Sequence, residues 1–311
     1  MTGEAPITEA EARLRKRAAA WIGSEDFREV ARTEGLDFAT AVLYEDVMRE
    51  PENARFCQSV CGQTTEGELS VDLIGVVPGA FYRTHRKTGA DGARVLSIAS
   101  QLGCEAELIP VESFGRLEDN AAVILKWIES HPGRRIALIS LSKGSADVKC
   151  ALGIAPGALA NVTSWVSFSG MVQGTPLVEW LRVRVLRWWA VRFLLWGGGH
   201  DGAALEQMSH GRQTQLDSWP AWPAHLRAVH VYGFPLREHL HHRWAPRGYR
   251  RLAPLGPNDG GGILLEDVLR LPGIVCPIWG ADHYLDPSWG ATGLLQNIVA
   301  RALSLPRQAS Q

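Results

Sequence analysis

The sequence predicts an α/β fold, a mostly parallel, doubly wound sheet that carries a helical N-terminal extension and an inserted helical cap. Three observations carry this expectation. From residue 70 onward, short apolar runs alternate with amphipathic, helix-compatible runs, the pattern of parallel strands joined by crossover helices and covered on both faces. One of those runs, Ile136–Ile139, passes through a turn of small residues, Ser140-Leu141-Ser142-Lys143-Gly144, straight into a helical stretch. Gly174–Pro223 breaks the alternation and holds six of the 12 tryptophans, as an insertion would.

Residues 6–50 read as helical. Glu9 stands four positions before Arg13, Leu14, Ala18, Trp21 and Ile22 recur at helical spacing, and Asp37 is placed to cap a second helix that Pro51 ends. Strands are expected over 71–77, 106–111, 136–139, 162–168, 228–232 and 274–279, and helices over 91–102, 117–130, 143–152 and 287–302. The domain organisation follows: 1–65 a helical extension, 66–173 with 226–311 the α/β core, and 174–225 the cap. Within the cap, the run 177–196 is too interrupted by Arg182, Arg184, Arg187 and Arg192 to cross a membrane. Its basic, Trp-rich character suits a lipid interface, but a cap helix packing its aromatics over a pocket is the simpler expectation. A second break, 234–262, is rich in His, Arg, Pro and Gly.

At 311 residues, 46% of them hydrophobic, the chain can bury a sizeable core. A formal net charge of −1 gives no reason to expect nucleic acid as a partner. The five cysteines, Cys57, Cys61, Cys104, Cys150 and Cys276, are scattered and form no Cys-x-x-Cys pair, which fits a reducing compartment. With no apolar leader stretch at the N-terminus, a cytoplasmic location is expected. Cys57 and Cys61 share a helical face, and Glu238-His239-Leu240-His241-His242 looks like a metal tract. Neither has the companion ligands a site requires.

The chemistry-bearing residues organise around Ser142. A strand–turn–helix holds a serine on a strained backbone with its Oγ exposed and a helix N-terminus behind it. A serine is a weak nucleophile until a histidine takes its proton and an acid orients that histidine. His283, the last histidine, follows the final strand, where a loop can carry it over the turn. Asp259, in the turn cluster Leu255–Gly262, precedes His283 by 24 residues, room for a helix and a strand. Asp282 is expected to point elsewhere, and Glu238 and Asp286 are weaker substitutes for the acid. Two backbone N–H groups can bind a developing oxyanion. One is that of Lys143; the other is that of Ala80, with Phe81 as the alternative, in the loop Val77-Pro78-Gly79-Ala80-Phe81-Tyr82. The Lys143 ammonium is expected at a pocket rim, where it can steer an acidic substrate.

Together these stretches resemble the α/β-hydrolase family over roughly residues 70–305, most closely its lipase-like members. Val76-Val77-Pro78-Gly79 resembles the oxyanion strand and loop, Ser140–Gly144 the nucleophile elbow with Ser140 in place of the first glycine, Asn258-Asp259-Gly260 the acid loop and Ala281-Asp282-His283 the histidine loop. The resemblance implies a carboxylic ester hydrolase working through an acyl-serine intermediate without metal or organic cofactor, with Ser142, His283 and Asp259 as the triad; the apolar cap suggests a small ester with an apolar acyl or aryl group. The same machinery serves thioesters or amides, and a non-catalytic binder of apolar ligands is the contrasting expectation. The long passage to Asp259 leaves room for one more strand, over 249–253, to carry the acid.

Overall fold

The computed structural model describes residues 7–61, 69–200, 202–211, 216–285 and 292–304. The chain folds as two compact units, one of Met1–Glu66 with His230–Arg301 and the other of Gly67–Val229 with Ala302–Gln311.

The first unit opens with α1 (Glu9–Ala19), α2 (Phe27–Glu34), α3 (Leu36–Arg49) and α4 (Pro51–Cys61). Thr8 and Glu11 form a capping box that closes the free N–H groups of α1, and the Asp26 carboxylate accepts from Arg28 and Glu29 to start α2. Asp37 caps nothing: Gly35, at φ 96°, precedes α3, and Asp37 lies in the first turn. There its Oδ1 accepts from the Arg237 amide at 2.9 Å and the Tyr249 hydroxyl at 3.2 Å. Pro51 follows the end of α3 and also begins α4, because a first-turn proline gives up only an N–H that has no helical partner.

The second unit takes the chain through β1 (Leu73–Val77), α5 (Ala93–Gln101), β2 (Glu105–Leu108), α6 (Leu117–Glu129), β3 (Ile136–Leu141), α7 (Lys143–Ile154) and β4 (Val162–Phe168). β1 pairs in parallel with β2 and with β3, and β3 in parallel with β4; Leu73 stands opposite Ile136. Every residue of β1 and β4 is buried, as continuous apolar runs in a covered sheet require. α5 packs on β1 and β2, and α7 on β1 and β3, with α6 against α7. Next come α8 (Pro176–Arg182), α9 (Val185–Gly197) and α10 (Ala203–Gln207). This helical stretch is fastened at its base by Thr175 N–H to Met208 O at 2.8 Å and by the Gln207 side chain accepting from Leu117 N–H at 2.9 Å. Trp219 and Trp222 pack on Trp165 of β4, each with ring centroids 6.3 Å away.

The chain passes along β5 (Arg227–Phe234) to α11 (Ala245–Leu252), β6 (Ile274–Trp279) and α12 (Thr292–Ser304). The strand order in the sheet is β2-β1-β3-β4-β5-β6. Residues 249–253 do not form an extra strand: Tyr249 to Leu252 complete α11, whose Pro246 sits in the first turn, and Asp259 lies in the loop beyond.

In the first unit the N-terminal helices supply the core around β6. Tyr44 stacks edge-on against Phe234 and Trp279, with centroids at 5.7 and 5.1 Å, and the Asn53 side chain accepts from Val275 N–H at 2.8 Å. Glu11, buried, receives Trp279 Nε1–H at 3.1 Å and His239 at 2.9 Å. Burial raises its carboxyl, but the Thr8 side-chain and backbone bonds, the Trp279 bond and His239 outweigh that and hold it below the usual range. Among the described residues no helix is long and apolar enough to cross a membrane.

Candidate active site

The turn after β3 is strained at one residue. Ser142 has φ 48° and ψ −117°, a conformation that costs a non-glycine residue about 1–3 kcal/mol and persists only where the surroundings hold it. Three backbone bonds hold it: Ser142 N–H to Phe168 O at 2.9 Å, and Met171 and Ser145 N–H to Ser142 O at 3.0 and 3.1 Å. Gly144 lies so close to β1 that an added Cβ would fall 2.5 Å from Pro78 O and 2.7 Å from Val77 O, both backbone atoms. That contact brings the end of β1 against the start of α7, and it accounts for glycine at this position.

Ser140 is more than a tolerated small residue. Its buried Oγ accepts from Trp165 Nε1 at 2.7 Å and shares a proton with Ser145 Oγ at 2.8 Å, and Ser167 Oγ bonds Ser145 Oγ at 2.9 Å. The hydroxyl ties the turn to β4. Trp165, Ser145 and Ser167 carry no local signal of this role, because the network exists only once β3 and β4 are paired.

The proposed oxyanion donors sit beside Ser142. Gly79 is close enough that an added Cβ would lie 3.4 Å from Ser142 Cβ. Phe81, at φ 58°, already donates its N–H to Ser113 O at 3.1 Å, which commits the alternative donor, whereas the Ala80 N–H has no hydrogen-bond partner among the described residues. The Lys143 N–H belongs to the first turn of α7, where amides have no intrahelical acceptor.

The Lys143 side chain is not at a rim. It is buried, its Nζ bonds Asp147 Oδ1 at 2.6 Å one turn along α7, and Asn120 of α6 donates to Asp147 Oδ2 at 3.1 Å. Burial pushes the Asp147 carboxyl up, opposed by Lys143 and Asn120. A buried ammonium cannot steer a substrate; it neutralises a buried acid. Lys143→Ala is therefore expected to cost about 3–5 kcal/mol of stability by stranding that carboxylate. The ratio of rates on neutral and anionic esters should stay unchanged, as read by thermal melting and paired assays.

The acid and the histidine are brought together in the first unit. Asp259 Oδ1 accepts three backbone N–H groups, from Gly261, Gly262 and Ile263, at 2.9, 3.0 and 3.0 Å, so the carboxylate cannot turn. Its Oδ2 meets His283 Nδ1 at 2.5 Å, and the His283 N–H donates to Asp259 O at 2.8 Å. An ionised carboxylate only accepts, so Nδ1 carries the proton and Nε2 is the basic nitrogen. Burial, the largest influence, lowers the imidazole pKa, but the Asp259 charge, its hydrogen bond and Asp282 together leave it above the ordinary value. Asp282 does point elsewhere: its carboxylate accepts from the His242 and Tyr284 amides, each at 3.0 Å. Glu238 is exposed, and Asp286 lies outside the described residues.

Gly261 is the residue the sequence did not single out. An added Cβ there would fall 2.0 Å from His283 Cγ, so the glycine run 260–262 makes room for the imidazole as well as turning the chain. If neutral imidazole is the working base, a raised pKa places the acid limb of the rate above about pH 6.5, the ordinary histidine value. Asp259→Asn removes the charge that raises the pKa and leaves the burial that lowers it, so the limb should move to lower pH in a kcat/KM profile.

Among the described residues one cluster has metal-ligand spacing: Glu11, Glu238 and His239. His239 Nδ1 accepts from Leu236 N–H at 3.1 Å, which puts the ring proton on Nε2, the atom facing Glu11. The cluster is a hydrogen-bonded staple between α1 and the turn after β5.

No family model matches the chain, and no curated protein matches it. Solved structures do. The metagenomic carboxyl esterase MGS0156 is 19% identical with a TM-score of 0.54, and the match covers 96% of each chain. Lipase BlEst2 of Bacillus licheniformis in its mature form is 20% identical with a TM-score of 0.54, over 72% of this chain and 89% of that one. Its propeptide form gives 19% identity and a TM-score of 0.57, over 80% of this chain and 54% of the other. The parallel pairing of β1 with β2 and β3 and of β3 with β4, the strained turn after β3 and these likenesses lead to one conclusion: the chain has the α/β-hydrolase fold.

Proposed function

We propose that this protein is a serine hydrolase of carboxylic esters with an apolar acyl or aryl group. The observation that carries the reading is Ser142, a non-glycine residue held at φ 48° and ψ −117° where a helix begins. Such strain is retained where it aims a reacting group. The buried Asp259–His283 pair supports it, since an imidazole with its proton fixed on Nδ1 offers a basic Nε2.

In this reading His283 Nε2 takes the Ser142 hydroxyl proton as Oγ bonds to the acyl carbon. The carbonyl oxygen becomes an oxyanion held by the amides of Ala80 and Lys143. Its collapse breaks the bond to the leaving alkoxide, which receives the proton from Nε2. Water, deprotonated by His283, then attacks the acyl-serine; the acyl–Oγ bond breaks, the acid leaves and His283 returns the proton to Ser142 Oγ. Asp259 keeps the imidazole oriented and stabilises the imidazolium each time it forms. The helical segment 174–225 serves as the cap that shapes the acyl pocket.

A series of p-nitrophenyl esters from acetate to palmitate, with thioester and anilide controls, tests the proposal. Ester turnover with an initial burst of p-nitrophenol is expected. Folded protein that turns over none of the esters would contradict it.

A further inference from the structure

The exposed side of α9 is the apolar side. Leu186, Trp189, Phe193, Leu194 and Trp196 are between 62% and 86% exposed, whereas within this helix only Leu195 is buried. At ~100° per residue, positions 185, 186, 189, 190, 193, 194, 196 and 197 fall on one half of the helix, so the exposed residues form a continuous stripe. Four of the six tryptophans expected to cover a pocket divide into two sets, while Trp180 and Trp188 are half-buried beneath Arg187 and Arg182. Trp219 and Trp222 turn inward onto Trp165, while Trp189 and Trp196 face solvent.

Charge along the stripe is basic apart from Glu206 of α10, which pairs with Arg192. Between Trp180 and His200 there are four arginines, Arg182, Arg184, Arg187 and Arg192, and no acidic residue, in a chain whose net charge is −1. Arg187 and Arg192 lie at opposite borders of the stripe. Arg187 donates to Trp180 O at 2.7 Å and covers the Trp180 ring at 3.4 Å; Arg192 bonds Glu206 of α10. Each is thus held beside the apolar face, and Arg184 is exposed at the start of the helix. An apolar centre with aromatic rings and arginine flanks has the chemistry of a helix that lies in a membrane interface. With 13 residues α9 is about 20 Å long, short of the ~30 Å needed to span the hydrocarbon, so it can only lie along the surface. A second copy of the chain fits less well, because a two-fold contact on this stripe would set arginines against arginines.

We infer that α9 is a docking surface for an anionic lipid bilayer, its apolar stripe entering the headgroup–acyl boundary and its arginines meeting lipid phosphates. The patch lies within one unit and does not depend on Ser142 being a nucleophile.

Co-sedimentation with phosphatidylcholine vesicles, with and without about 30% phosphatidylglycerol, tests it. Both wild-type protein and Ser142→Ala are expected to bind the anionic vesicles with a blue shift of tryptophan emission, and to be released several-fold by high salt. The double variant Leu186→Glu, Phe193→Glu replaces exposed side chains, of which Phe193 packs only on the exposed ring of Trp196 among the described aromatic contacts. It should keep the wild-type melting temperature and lose at least roughly tenfold in partitioning. The inference is overturned by equal binding to both vesicle compositions, by wild-type protein that stays in the supernatant, or by a variant that binds as well as wild type. It is also overturned if the stripe instead closes a concentration-dependent dimer that the double variant dissociates.

Discussion

Ser142→Ala is expected to lower kcat on p-nitrophenyl esters by about 10⁴-fold or more, and His283→Ala to bring the rate to a similar floor. Without Oγ no acyl-enzyme forms; without Nε2 the hydroxyl keeps its proton and attacks poorly. The combined variant should be no slower than either single variant, because the two groups act in one step and removing either removes the step. Losses that multiply would mean that Ser142 and His283 serve separate steps. Stability should change little in Ser142→Ala. The three backbone bonds that hold the turn remain, and alanine meets the same strain at φ 48° as serine.

Gly261→Ala is expected to cost about 10³-fold in kcat without touching a group that carries protons or charge. A methyl 2.0 Å from His283 Cγ, 2.3 Å from its Cβ and 2.4 Å from its Cδ2 cannot coexist with the imidazole where it stands. The Gly261 backbone cannot retreat easily, since its N–H is one of three that fix Asp259 Oδ1. The imidazole must therefore swing off Asp259 Oδ2, which frees its tautomer and misplaces Nε2. The overpacking should cost about 1–3 kcal/mol in stability, read by denaturant unfolding beside the kinetics. Wild-type kcat in this variant would show that the ring position does not govern the rate.

Much of this frame is legible in sequence. The spans 162–168 and 274–279 match β4 and β6 because fully buried strands read as unbroken apolar runs. The turn at Ser142 and the Asp259–His283 pair are legible because each depends on local chain chemistry, a strand entering a helix, an Asn-Asp-Gly turn, a loop after the last strand. What escaped depends on partners distant in sequence. Lys143 reads as a surface charge until Asn120 of α6 and Asp147 are seen around it. Ser140 reads as a substitute glycine until Trp165 is seen to donate to it. Asp37 resembles a cap, yet its acceptors are used by Arg237 and Tyr249, about two hundred residues away. α9 reads as a pocket cover because apolar periodicity marks an apolar face but not the side it turns to.

Fluorophosphonate labelling of the folded protein, followed by peptide mass spectrometry, tests the central claim most directly, because the reagent forms a phosphonyl ester only with an activated nucleophile. One adduct per chain on the peptide containing Ser142 is expected, lost in His283→Ala as well as in Ser142→Ala. An unlabelled wild-type protein, or an adduct on another residue with Ser142 untouched, would contradict the account.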